Sequence, residues 1–243
     1  MAQITENDLK LAILIDADNT QSDVIGELLT EIAKLGIPVV KRIYGDWTQP
    51  QLKSWKTVLN QYAIKPMQQF AYTKGKNSTD SAMIIDAMDL LHKQKYTGFC
   101  LVSSDSDFTG LATRIREEGN IVYGFGRKHT PQPFIAACNK FIFLEVLTAE
   151  REDTTEQQQP KTDNNIQDLQ TIITLAISLT ADDSGWALLS QVGDFLLKKT
   201  PEFDSRNYGY RKLSDLVENL ENVEVKKVPM NNLPSFIYWV KIK

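Results

Sequence analysis

Residues 11–21 read LAILIDADNTQ. The apolar run 11–15 passes without a polar break into Asp16, and Asp18, Asn19 and Thr20 follow at once. A short continuous apolar run of this kind predicts a strand covered on both faces, as in a parallel sheet. In open α/β sheets ligands bind just beyond the carboxyl ends of such strands. Acids at that point have three readings: they ligate a metal, attack a phosphate, or cap the next helix.

Working outward, strand candidates recur at 37–43, 64–70, 99–102 and 121–125. Between the first two, Val24, Ile25, Leu28, Leu29, Ile32 and Leu35 follow helical spacing and Gly36 closes the run. Further helices are predicted over 51–62, 80–93 and 108–118, the last closed by Gly119. Strand–helix alternation predicts an α/β domain, a central parallel sheet between helices.

Residues 149–165, AEREDTTEQQQPKTDNN, contain no large apolar side chain and carry five acids against two bases. Such a stretch cannot offset its ordering entropy by burial, so a flexible acidic linker is expected between domains at 1–148 and 166–243. Helices over 166–179, 188–198 and 210–220, then a hairpin of 223–228 and 236–242 across PMNNLP, suggest a small winged helix-turn-helix.

The chain has 243 residues and a net charge of −4, so no global basic field advertises nucleic acid. That argues only weakly against a polyanion, because a local patch is enough. The 1–148 segment is balanced at 16 basic and 16 acidic residues, and much of the net acidity lies in 149–165. Cys100 and Cys138 form neither a framework nor a ligand pair and read as reduced, buried thiols. The start MAQITENDLK lacks a leader pattern and no later apolar run approaches a membrane span, so a cytoplasmic protein with no membrane partner is expected.

The fourth strand candidate ends like the first: CLVSSDSDF places Asp105 and Asp107 after it. If the two strands flank the point where strand order reverses, four carboxylates meet in one crevice. They would repel one another unless a cation intervenes or some take up protons. Oxygen ligands without His or Cys favour Mg²⁺ or Mn²⁺. In KGKNSTDSAMIIDAMDLLHK, Asp80 lies at the centre of the stripe formed by Met83, Ile84, Ala87, Met88 and Leu91, while Asp86 and Asp89 point away. A carboxylate on that stripe needs a partner; metal ligation and service to the helix dipole are the two readings.

Asp16 and Asp105 are the firmer ligand candidates, because Asp18 and Asp107 each stand where a cap for the following helix belongs. Asn19 has three roles open to it: orienting a ligand carboxylate, binding a metal water, or capping. Asp46 in YGDW suits an ordinary turn. Arg42 near the end of the second strand, Lys74 and Lys76 after the third, and Arg127 and Lys128 after the fifth would ring the acids and offer a polyanion a path. Tyr44, Trp47 and Tyr72 are candidates for base stacking or for core packing.

The motifs LAILIDADN, KGKNSTDSAMIIDAMD and CLVSSDSDF, in that order over about residues 9–147, resemble those of the NYN domain in its bacterial LabA-like branch, a family of PIN-like metal-dependent ribonucleases. The resemblance maps catalytic and metal-binding roles onto Asp16, Asp80, Asp105 and Asp107, with Asn19 and Asp18 in support. GKNSTD departs from the shorter Lys-Gly approach expected before the helical acid, which bears on Lys74 and Lys76. The tail resembles an OST-HTH, or LOTUS, domain through YGYRKLSDLV, and its pairing with an NYN domain is a known arrangement. The resemblance implies hydrolysis of RNA, single-stranded in the simplest case, with Mg²⁺ or Mn²⁺, leaving 5′-phosphate and 3′-hydroxyl ends. The tail would then bind RNA or a protein partner.

Two rivals stand beside it. Asp16-Ala17-Asp18-Asn19-Thr20 fits the nucleophile motif of haloacid-dehalogenase-like phosphatases, with Asp16 phosphorylated. The helix that follows at once leaves no room for that fold's flap, and Asp80 is left without a task. The other rival is a non-catalytic adaptor that holds RNA or protein.

Overall fold

All but the first residue of the strand Lys10–Asp16 is buried, and its side chains feed two cores in alternation. Ala12 and Leu14 join one, and Leu11, Ile13 and Ile15 the other. That is the burial expected of a central parallel strand. The computed structural model describes residues 9–70, 78–152, 163–229 and 236–243. The chain divides into two compact units, Met1–Asp153 and Thr154–Lys243.

The first unit runs β1 (Lys10–Asp16), α1 (Ile25–Leu35), β2 (Ile37–Gly45), α2 (Trp55–Gln61), β3 (Lys65–Gln68), α3 (Ser78–His92), β4 (Gly98–Val102), α4 (Thr109–Glu117), β5 (Ile121–Gly126), α5 (Gln132–Ala137), β6 (Lys140–Phe143) and α6 (Leu144–Glu152). Its six strands are parallel in the order β3-β2-β1-β4-β5-β6. The core shared with α3, α4 and α5 covers one face, through Met83, Ala87, Leu111, Ile115 and Phe134. The other face is covered by α1, α2 and α6, through Ile25, Leu28, Trp55 and Leu147. This is the parallel sheet between two layers of helices that the alternation of strands and helices predicts.

Three elements of this unit are additions to the sequence reading. The short β6, with α5 before it and α6 after it, offers too few residues for a period to be read. Its place is fixed by tertiary contacts: the Val122 amide donates to Asn139 Oδ1 at 2.8 Å, and the Asn139 amide to the Val122 carbonyl at 2.8 Å. The sixth strand pairs with β5 over four residues, and the Asn139 side-chain amide, which has no local signature, extends that pairing.

The second unit contains α7 (Asp163–Thr180), β7 (Ala187–Leu188), α8 (Leu189–Lys199), α9 (Leu213–Glu218), β8 (Val223–Pro229) and β9 (Phe236–Ile242). Its wing is three-stranded, in the antiparallel order β7-β9-β8, where the sequence suggested two strands. Ile173, Ile177, Val192, Leu196, Leu216, Val217 and Val240 form its core. Helices also claim both ends of the expected linker, since α6 runs to Glu152 and α7 begins at Asp163; residues 153–162 lie outside the described set.

Candidate metal centre

The chain leaves β1 toward β2 and β3 on one side, and β4 toward β5 and β6 on the other. The carboxyl ends of β1 and β4 thus form the switch point of the sheet. Ile15 pairs with Val102, so the residues that follow each strand emerge side by side.

Asp16 is only 1% exposed. Its Oδ1 accepts from the amides of Asp18 at 3.0 Å and Asn19 at 3.3 Å. Its Oδ2 accepts from Asn19 Nδ2 at 2.7 Å and Ser103 Oγ at 2.7 Å. A carboxylate has room for about four such donors, so Asp16 is saturated from within its own neighbourhood. Asn19 therefore orients the carboxylate, one of the three roles open to it in the sequence.

Ser103 went unnoticed in the sequence. It sits one position beyond Val102, almost fully buried, and its oxygen also accepts the Asp105 amide at 3.1 Å. One hydroxyl thus ties the end of β1 to the turn that carries the second acid pair. Only the strand register brings it there. The neighbouring β5 closes on the same turn because it ends in Gly126, where a Cβ would lie 2.6 Å from the Ser103 carbonyl oxygen.

The capping roles are the reverse of those expected. Asp105 is the N-cap of the 3₁₀ turn Ser106–Phe108, accepting from the Asp107 amide at 2.9 Å. After β1 the N-cap position falls to Gln21, with no side-chain cap. The first acid of each pair organises its turn, and Asp18 accepts instead from the hydroxyl of Thr79 at the start of α3.

Helix α3 delivers Asp80 to this edge. One carboxylate oxygen from each of Asp80, Asp105 and Asp107 lies within 4.8 Å of the others. Asp80 and Asp105 are half-buried and Asp107 is exposed. Asp16, buried and already saturated with donors, is outside that convergent set. Burial, and after it the charges of Asp16, Asp105, Asp107 and Asp18, push the Asp80 carboxyl up to about 6. Burial and then the charge of Asp16 also raise Asp18. Crowded carboxylates in a partly dry crevice, with only oxygen donors, fit a hard divalent cation such as Mg²⁺ or Mn²⁺.

A proton and a cation compete for such a site. With its folded pKa raised from 3.8 to about 6, Asp80 favours the metal-free fold at low pH, and that contribution is lost as pH rises through 6. Bound metal acts in the opposite sense. We expect the rise in Tm produced by Mn²⁺ at pH 7.5 to shrink markedly at pH 5.5, as measured by thermal denaturation. An equal shift at both values would place metal binding elsewhere.

The basic groups divide. Arg42 does not stand open to a substrate: it pairs with Asp86 of α3, both side chains below 20% exposed. The Tyr44 hydroxyl donates to the same carboxylate. Asp86 therefore faces the sheet and not solvent, because the buried stripe of α3 includes Leu90 and turns the helix toward β2. Burial first, then Asp86, pushes the Tyr44 hydroxyl's pKa well up and keeps it protonated, as suits a core residue. Trp47 is half-buried and its Nε1 donates to the Met67 carbonyl at 3.1 Å. Asp46 holds its turn by accepting from Thr48, Gln49 and Gln68, which keep its carboxyl well below the usual range.

Arg127 and Lys128 do follow β5 at the switch-point edge. Their amides donate to Ser104 Oγ at 2.9 Å and Glu145 Oε1 at 3.1 Å. Lys74, Lys76 and Tyr72 lie outside the described residues. No helix among the described residues is long and apolar enough to cross a membrane.

Comparison with known proteins gives two family matches. The model of the NYN domain matches residues 10–145, and that of the OST-HTH/LOTUS domain matches residues 165–234. No curated protein matches the chain. Among solved structures, it is similar to a protein of unknown function from Vibrio parahaemolyticus, with 19% identity over 57% of this chain and 94% of that one and a TM-score of 0.48. An uncharacterized protein from Nitrosomonas europaea shows 30% identity over 37% of this chain and 80% of its own, with a TM-score of 0.28. A protein from Chromobacterium violaceum shows 34% identity over 36% and 84%, with a TM-score of 0.25.

Proposed function

The chain belongs to the NYN-domain family, within the PIN-like nuclease superfamily, and from this premise we propose that it is a metal-dependent endoribonuclease acting on single-stranded RNA. The observation that carries the reading is the convergence of Asp80, Asp105 and Asp107 at the switch point of the sheet. These three carboxylates would hold Mg²⁺ or Mn²⁺. When bound, the cation supplies charge stabilisation to the phosphate and an acidified water for in-line attack.

The chain's own residues supply the rest. Asp16, fixed by Asn19 and Ser103, adds charge that Asp80 feels directly and holds the Asp18 turn in place. Arg127 and Lys128 attract the phosphates on either side of the scissile bond, and Lys74 and Lys76, which precede α3 in the sequence, are assigned the same role. Arg42 leaves this set, because its charge is already matched by Asp86. The phosphatase reading loses support for a physical reason: a nucleophilic Asp16 must reach substrate, and this one is buried with both oxygens occupied.

In the second unit Lys198, Lys199, Arg211 and Lys212 are exposed and available for phosphate contacts, whereas Arg206 is held by Asp204 at 2.7 Å. The OST-HTH/LOTUS domain would add affinity through effective concentration without joining the chemistry. A chain ending at Asp153 is therefore expected to cleave a short oligoribonucleotide in Mg²⁺ or Mn²⁺ as the full chain does. It should bind long RNA more weakly, with a shallower dependence on salt, in filter-binding assays. Loss of short-substrate cleavage by a folded fragment would place the second domain in the active site. Unchanged binding at every salt concentration would direct that domain to a protein partner, and absence of cleavage by either chain would support an adaptor.

A further inference from the structure

Beside the acid cluster the first unit carries a pocket of about 600 Å³, within the range of small-ligand sites. It opens between the turn after β1 and the 3₁₀ turn Pro50–Ser54 that leads into α2. Ala17, Leu52 and Trp55, all buried, contribute its apolar lining. Its polar lining is Asp18, Gln21, Ser22, Asp23, Gln51 and Ser54, with no Lys or Arg among the described residues. Asp18 belongs both to this pocket and to the edge that carries the metal centre.

One buried polar group of the pocket wall, Thr20, is left without a partner: it is 5% exposed, and its hydroxyl has no hydrogen bond among the described residues. Buried hydroxyls are rarely left in that state, because desolvation without a partner is costly.

The chemistry of the lining narrows the occupant. A phosphate would meet two carboxylates and no cation. An uncharged ligand rich in hydroxyl and amino donors suits it, since carboxylates accept from hydroxyls and carboxamides offer a donor and an acceptor side by side. We propose that this pocket takes one ribonucleoside unit of the RNA next to the scissile phosphate. Asp18 and Asp23 accept from the ribose hydroxyls, Gln21 and Gln51 read the base edge, and the 2′-hydroxyl sets RNA apart from DNA. The inference rests on the nuclease reading and extends it to substrate selection.

The test titrates the ¹⁵N-labelled full chain, without divalent metal, with the four ribonucleosides and their 2′-deoxy counterparts. The amides of Gln21, Ser22, Gln51 and Ser54 should shift with at least one ribonucleoside, and its deoxy form should bind about tenfold more weakly, as loss of one charge-assisted hydrogen bond implies. Ser54→Trp, at an exposed position, should fill the pocket and abolish those shifts. In cleavage assays it should raise KM for a short oligoribonucleotide by about tenfold and leave kcat little changed. Shifts confined to other residues, equal affinity for the deoxy form, or an unchanged KM would overturn the proposal. Failure of the nuclease reading looks different: nucleosides bind here and RNA is not cleaved. Cleavage without nucleoside shifts removes the pocket and keeps the nuclease.

Discussion

Asp80→Asn is expected to reduce metal-dependent RNA cleavage by about 10²–10³-fold, the scale for loss of one preorganised electrostatic group. The same change should raise the Tm of the metal-free protein. At neutral pH Asp80 is ionised against burial and against four neighbouring carboxylates, which is why its carboxyl is pushed up to about 6. Asn keeps the shape and removes the repulsion, so the empty fold gains while the cation loses a ligand. The protein should therefore be more stable without metal and respond less to added Mn²⁺. Thermal denaturation and cleavage kinetics on the same preparation check both parts. A lower Tm with full turnover would make Asp80 a structural residue serving the dipole of α3.

Asp86→Ala should produce the largest loss of stability. It removes the acceptor shared by Arg42 and Tyr44 and leaves a guanidinium between α3 and the sheet without its counter-charge. Breaking a buried pair from one side costs about 3–5 kcal/mol, and the lower end suits side chains that keep some exposure. For a protein of this size about 3 kcal/mol corresponds to a fall in Tm of roughly 6–12 °C. Replacing both partners, Arg42→Met with Asp86→Leu, should recover part of the loss, since two apolar groups leave no charge stranded. If Arg42 served RNA instead, Arg42→Met would raise KM for the oligoribonucleotide and leave Tm unchanged.

These two variants mark the limits of what the sequence makes legible. The strand that ends in Asp16 and the one that leads to Asp105 each carry an unbroken apolar run, so the parallel sheet and the edge where these acids stand could be read directly. Asp80 could be found because a helical stripe gives every residue a direction. The partners of these acids could not. Ser103 reaches Asp16 through the register between β1 and β4, and Arg42 reaches Asp86 across two elements. Neither leaves a periodic trace. The capping roles inverted for a related reason. Asp16 and Asp105 lie closest to their strand ends, where the first turn's amides converge, so each is drawn into its own loop. Asp107 then joins Asp80 and Asp105 at the open side. β6 escaped because four residues are too few to show a period, and its pairing with β5 is a tertiary contact that leaves no local pattern.

On the proposed function, Asp80, Asp105 and Asp107 would form a metal centre that hydrolyses RNA. The most direct test is end-group analysis of an internally labelled single-stranded RNA incubated with the full chain, with Mg²⁺ or Mn²⁺ and again with chelator. Internal cleavage that requires the cation and leaves 5′-phosphate and 3′-hydroxyl ends is the expected result. Intact RNA under both conditions, or release of inorganic phosphate from terminal phosphates alone, would contradict it.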